Sequence, residues 1–116
     1  MTSPEQRFLI VGCGSIGKRH IRNLKLLSAG ELIAYDTSPE RCAEVEEQYG
    51  VKAVSDFTEG MRYEPSVVLV CTPTSLHMDY ALAAVRAGCH VLIEKPISHD
   101  MEGVNELIEI ASSKNL

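Results

Sequence analysis

Gly12, Gly14 and Gly17 stand at G-x-G-x-x-G spacing in the stretch Gly12-Cys13-Gly14-Ser15-Ile16-Gly17, directly after the apolar run Phe8 to Val11. Each glycine answers a different steric need. The first allows a tight turn, the second lets backbone approach a diphosphate with no Cβ in between, and the third lets a helix lie close on a strand. Free N–H groups and the dipole of a helix starting there attract negative charge. Glycines at this spacing also occur in turns that bind nothing. The weight therefore rests on their placement between strand and helix, with an acid about 20 residues further on.

That acid is Asp36, at the end of the second apolar run. A carboxylate there can accept hydrogen bonds from ribose hydroxyls and would repel a 2′-phosphate. Thr37 and Ser38 follow it with no arginine directly after, which favours NAD over NADP, while Arg41 one helical turn on keeps NADP open. Capping the next helix is the plainer role for Asp36, and one carboxylate can serve both.

Two further stretches follow apolar runs: Cys71-Thr72-Pro73-Thr74-Ser75-Leu76-His77 and Glu94-Lys95-Pro96. Taken singly, a loop lysine is by default solvated, and an imidazole opening a helix is by default a surface group. His20 falls on the apolar side of the first helix, where a packed core histidine is expected, and His99 reads as exposed loop. Cys13, Cys42, Cys71 and Cys89 are evenly spread, with no CxxC pair and no histidine at metal-ligand spacing. They read as reduced thiols behaving as small apolar residues, and no metal site is expected. Cys13, inside the glycine loop, could be oxidised but has no resolving partner nearby in sequence.

The elements that must position these residues alternate along the chain. Arg7 to Val11 reads as a strand, followed by a helix from Ser15 to Leu27 with Ile16, His20, Leu24 and Leu27 on one face, ended by Ala29-Gly30. Glu31 to Tyr35 is a second strand. Ser38 caps and Pro39 opens a helix carrying Cys42, Val45 and Tyr49, with Gly50 as its stop. Val51 to Val54 is a third strand, and Ser55 to Arg62 holds one or two helical turns. Val67 to Cys71 is a buried strand, Ser75 to Ala87 an Ala-rich helix ended by Gly88, and His90 to Ile93 a fifth strand. Asp100 to Ser113 closes as a helix with Met101, Val104, Leu107, Ile108 and Ala111 on one face. Alternating strands and helices predict an α/β fold, a doubly wound parallel sheet in three α/β/α layers with strand order 3-2-1-4-5. Ligands bind such sheets outside the carboxyl ends of the strands, where the order reverses. That rule selects the loops after Val11, Cys71 and Ile93.

Taken together, the first strand and glycine loop, Asp36, the CTPTSLH stretch and the IEKPIS stretch resemble the N-terminal domain of the glucose-fructose oxidoreductase, inositol dehydrogenase and MocA family. The resemblance runs from Phe8 to about Ala111, and position 74 departs mildly, with Thr where the family often has Asn. It implies an NAD(P)-binding Rossmann domain of an oxidoreductase acting on sugars, polyols or related small molecules. It also implies that Gly12, Gly14 and Gly17 hold the pyrophosphate, with backbone contacts from Ser15 and Ile16, and that Asp36 reads the ribose. Thr72, Pro73 and His77 would lie along the cofactor toward the nicotinamide, with Glu94, Lys95 and Pro96 beside its ring. Lys95 is the expected catalytic residue: its ammonium could donate a hydrogen bond to the substrate oxygen as hydride leaves carbon. The family's second domain supplies the base, the substrate pocket and commonly the oligomer interface. It is expected beyond Leu116, so 1–116 is read as a cofactor domain that binds without turnover.

Composition bounds the alternatives. A chain of 116 residues fits one core, and 45% hydrophobic with 23% charged residues is a globular profile. A net charge of −5 with no Lys/Arg stripe argues against nucleic acid. The longest apolar runs fall far short of the roughly 20 residues that span a bilayer. The polar segment Met1 to Arg7 has no leader character, so the cytoplasm is the expected compartment. Apolar surface left by a missing strand and domain predicts self-association into a homo-oligomer. Two other readings stay open: a stand-alone dinucleotide or coenzyme A sensor, which leaves Lys95 without a task, and a remnant that only associates with partners.

Overall fold

Short apolar runs bounded by turn residues become five parallel strands in the computed structural model, which describes residues 6–116. The N-terminal segment expected to lack leader character lies, up to residue 5, outside the described residues. The strands are β1 (Arg7–Val11), β2 (Glu31–Tyr35), β3 (Lys52–Val54), β4 (Val67–Val70) and β5 (His90–Ile93). The helices are α1 (Ser15–Leu26), α2 (Pro39–Tyr49), α3 (Phe57–Met61), α4 (His77–Arg86) and α5 (Val104–Ser113), with a 3₁₀ turn at Thr74–Leu76. The sheet order is β3-β2-β1-β4-β5, as the sequence predicts. The register sets Val11 beside Tyr35 on one side and Val70 on the other.

Period-two alternation divides the core in two. Leu9, Val11, Ile33, Tyr35, Val68 and Val70 face the helices after β3, packing on Ala81, Ala84, Val85, Val104 and Leu107. Ile10, Ala34 and Ala53 face the other way, onto Ile21 of α1 and Cys42 and Val45 of α2. Strands covered on both faces need no polar alternation, which is why β1 and β4 read as continuous apolar runs. Ala81 and Ala84 are fully buried and let α4 lie close to the sheet.

The local signals of α2 hold in detail. Ser38 accepts a hydrogen bond from Arg41 N, Pro39 opens the helix, and Gly50 closes it in the left-handed conformation at φ 65°. Two other helices differ from the sequence reading. The core stripe of α1 is Gly17, Ile21 and the half-buried Leu24, while Ile16 is 41% and Leu27 75% exposed. Its cause is Gly17, whose missing Cβ brings that side of the helix onto β1 and turns Ile16 outward. The last helix begins at Val104 rather than Asp100, because Gly103 adopts φ 82° and the Asp100 carboxylate accepts from Glu102 N in a turn of its own. Met101 and Ile108 consequently stand in solvent rather than on the core.

Gly12 and Gly17 are each fixed by a close approach of backbone. Gly12 sits at φ 99°, where a side chain is strained, and a Cβ on it would come 2.8 Å from Cys71 O. A Cβ on Gly17 would stand 1.8 Å from Gly12 O, inside any permissible contact. Cys13, between them, is fully buried, and its thiol lies 3.5 Å from Tyr35 O. Burial first, then the nearby Asp36 carboxylate, push this thiol from 9.0 up to about 12. Burial, then the Glu94 carboxylate, push Cys71 from 9.0 up to about 12.

Gly17→Ala should therefore lower the unfolding free energy by at least about 3 kcal/mol, measured by urea denaturation; a loss under about 1 kcal/mol would refute the backbone contact. The thiols set an alkaline limit. Below about pH 9 folded and unfolded chains both hold these protons, and the preference for the neutral thiols is fully present. As pH rises from 9.0 toward about 12 the unfolded chain loses them first, so the thermal midpoint should fall across that window, and less steeply in Cys13→Ala.

Candidate active site

At the carboxyl edge of the sheet the chain leaves β1 toward one face and β4 toward the other, opening a crevice between them. Gly12 N donates to Tyr35 O at 2.8 Å and Cys71 N to Val11 O at 2.7 Å, so both loops start from fixed strand ends. Gly14 is the N-cap of α1, at φ −76° and ψ −163°, a conformation open to any residue. A Cβ built on Gly14 meets nothing nearer than Arg41 Nη1 at 4.0 Å. The protein's own packing thus requires glycine at 12 and 17 but not at 14, where the absent side chain leaves the cleft open beside the start of the helix.

Asp36 is only 7% exposed. Its Oδ2 accepts from Cys13 N at 2.8 Å and its Oδ1 from Ser38 N at 2.8 Å, joining the glycine loop to the turn that opens α2. Arg41 Nη1 lies 3.8 Å from Oδ2, at the rim of the cleft. Gly12, Gly14, Asp36, Thr72 and Pro73 line one and the same cleft. Thr72 Oγ1, in that wall, is buried and has no hydrogen-bond partner among the described residues.

Sequence reasoning did not single out the aromatic floor of this cleft. Tyr35 and Tyr80 line it with their hydroxyls 2.9 Å apart, their rings edge to face at 5.8 Å, and Phe57 packs against both. Burial, then the bond to Tyr80, push the Tyr35 hydroxyl upward. Tyr35 directly precedes Asp36, and Tyr80 stands three residues after His77 on α4, on nearly the same side of the helix.

The loop after β5 lies at the other end. His77 is 2% exposed, no surface group: its Nε2 lies 2.9 Å from Thr72 O and its Nδ1 3.0 Å from Pro96 O. His20 is not a packed core histidine. Its side chain is 24% exposed and its Nε2 meets the Glu94 carboxylate, because the turn of α1 imposed by Gly17 aims position 20 at the end of β5. Lys95, between two anchored neighbours, is exposed, and its ammonium makes no hydrogen bond or ion pair among the described residues. Ser15 and Ile16 are exposed at the first turn of α1, outside the cleft lining. His99 is exposed beside Asp100. Among the described residues no group of three His, Cys, Asp or Glu could hold a metal ion, and no helix is long and apolar enough to cross a membrane.

The arrangement can seat an anionic, ribose-bearing ligand. Open space beside a helix N-terminus suits a diphosphate, the buried carboxylate suits vicinal hydroxyls, and the orphaned Thr72 hydroxyl suits a polar group lying over the loop after β4. Comparison with known proteins gives the same answer. Myo-inositol 2-dehydrogenase of Thermotoga maritima is 34% identical over 106 residues, 89% of this chain and 32% of that protein. D-glucoside 3-dehydrogenase of Escherichia coli is 34% identical over 115 residues, 96% of this chain and 33% of that protein. The WlbA dehydrogenase of Bordetella pertussis, solved in complex with NADH and UDP-GlcNAcA, superposes with TM-score 0.86 at 28% identity over 100% of this chain and 36% of that one. The chain thus spans about a third of the length of these relatives. The model of the oxidoreductase family with an NAD-binding Rossmann fold matches residues 6–116, and the chain belongs to that glucose-fructose oxidoreductase, inositol dehydrogenase and MocA family as its NAD-binding domain.

Proposed function

We propose that the chain is the cofactor-holding part of an oxidoreductase that moves hydride between a nicotinamide dinucleotide and a sugar, polyol or related small molecule. The observation that carries this reading is Gly14, a glycine that nothing in the fold demands and that opens the cleft where a diphosphate must lie. The N–H groups of Ser15 and Ile16 and the helix dipole stabilise its charge between Gly12 and Gly17. Asp36 accepts from the ribose hydroxyls with the lone pairs its two backbone donors leave free. Arg41 is the group a 2′-phosphate would meet, which supports NADP as a second ligand.

Thr72 and Pro73 line the path toward Glu94, Lys95 and Pro96, and the buried His77 holds Thr72 and Pro96 together. The nicotinamide supplies the hydride acceptor or donor when bound. Lys95 offers an unspent ammonium that stabilises negative charge developing on the substrate oxygen. Sugar and polyol substrates are proposed from the activities that the relatives' names carry. We place the protein in the cytoplasm, which the four free cysteines support. Exposed Leu92, Met101 and Ile108 support self-association.

The test is calorimetric titration of the chain with NAD, NADP and coenzyme A in parallel. NAD should bind, and Gly14→Ala should weaken it about tenfold or more while changing folding stability by less than about 1 kcal/mol. Asp36→Ala is the lesser control, since it also strips two backbone donors of their partner. A folded chain that binds no nucleotide, or that prefers coenzyme A, would overturn the reading.

A further inference from the structure

Two histidines from different elements hold the segment that carries Lys95, one at each end. His20, on the second turn of α1, meets the Glu94 carboxylate. His77, at the start of α4, takes the Pro96 carbonyl at 3.0 Å through Nδ1 and the Thr72 carbonyl at 2.9 Å through Nε2. Both carbonyls are acceptors, so the His77 ring must donate, once when neutral and twice when protonated. Between these anchors Lys95 is exposed and spends its ammonium on nothing among the described residues.

We propose that His20 and His77 are positioning residues: they hold Glu94 and Pro96, and thereby fix where Lys95 is presented to the nicotinamide end of the site. The inference rests on the dinucleotide reading above. Its physical basis is that Glu94, Lys95 and Pro96 open the long connection between β5 and α5 and make few hydrogen bonds of their own. Here Glu94 N is tied to Val70 O at 3.1 Å, and the other hydrogen bonds of this stretch among the described residues are those to the two imidazoles. The partners also explain why each histidine sits where it does. The Glu94 carboxylate, half-buried beyond the end of β5, is held by the His20 imidazole from α1. His77 is enclosed at 2% exposure, so its two contacts are made away from competing water. Because α1 begins at the glycine loop, the His20–Glu94 contact links the element that would receive the diphosphate to the loop that would face the nicotinamide. α1 then takes part in setting both halves of the site.

The discriminating experiment compares NADH, which reaches the loop after β5, with ADP-ribose, which lacks the nicotinamide. His20→Ala should weaken NADH binding to the chain by about five- to tenfold, the equivalent of one ordinary hydrogen bond, and leave ADP-ribose within about twofold. Glu94→Gln should reproduce the split, and His20→Gln, which keeps a donor, should recover part of it. As a readout needing no variant, the imidazole ¹⁵N signals of His20 and His77 should shift more with NADH than with ADP-ribose. Equal losses of both ligands in His20→Ala, or equal shifts of the ring signals, would make the histidines ordinary packing and overturn the proposal while leaving the cofactor reading intact. A wild-type chain that binds neither ligand would overturn both.

Discussion

The carbonyl of Gly12 lies so close to α1 at Gly17 that the space between them admits no side-chain atom. Much else follows from that approach. It fixes the direction in which α1 leaves the sheet, so Ile21 and Leu24 meet the strands, Ile16 turns outward, and position 20 reaches across to the end of β5. It holds the first turn of α1 hard against the end of β1, where unpaired N–H groups concentrate positive potential at the mouth of the crevice. The cleft is therefore a by-product of tight packing rather than an addition to it.

A buried carboxylate is costly unless its oxygens are satisfied. Asp36 meets that demand with N–H groups from two separate loops, and the arrangement answers a second demand, since those donors would otherwise lack acceptors. The glycine loop and the start of α2 are consequently referred to the same charge. Arg41 stands 3.8 Å off without closing on it, so the negative potential at the rim is moderated but not removed.

The sheet was legible because buried parallel strands read as uninterrupted apolar runs, and the capping of α2 because Ser38, Pro39 and Gly50 act through local backbone geometry. The face of α1 was not legible. Ile16, Leu24 and Leu27 form a plausible stripe by period alone, and only the backbone approach at Gly17 shows that the stripe is rotated. The start of α5 was missed because the helical period continues through Met101, whereas Gly103 adopts a conformation that no helix tolerates. Within the site, the glycine loop and Asp36 announced themselves by spacing. The bond of His20 to Glu94 and the joined hydroxyls of Tyr35 and Tyr80 depend on residues 74 and 45 positions apart, which no local pattern encodes.

The double use of Asp36 has a consequence for how such a protein can diverge. On the proposed role of Asp36 at the ribose, room and charge for a 2′-phosphate are most simply made by replacing this aspartate with something smaller and neutral. Here that replacement would also leave the N–H groups of Cys13 and Ser38 without their acceptor, one in the glycine loop and one beneath α2. A switch of cofactor preference is therefore coupled to a loss of stability, and a lineage making it needs either a residue that keeps a hydroxyl or amide oxygen in the same place or a stabilising change made beforehand elsewhere.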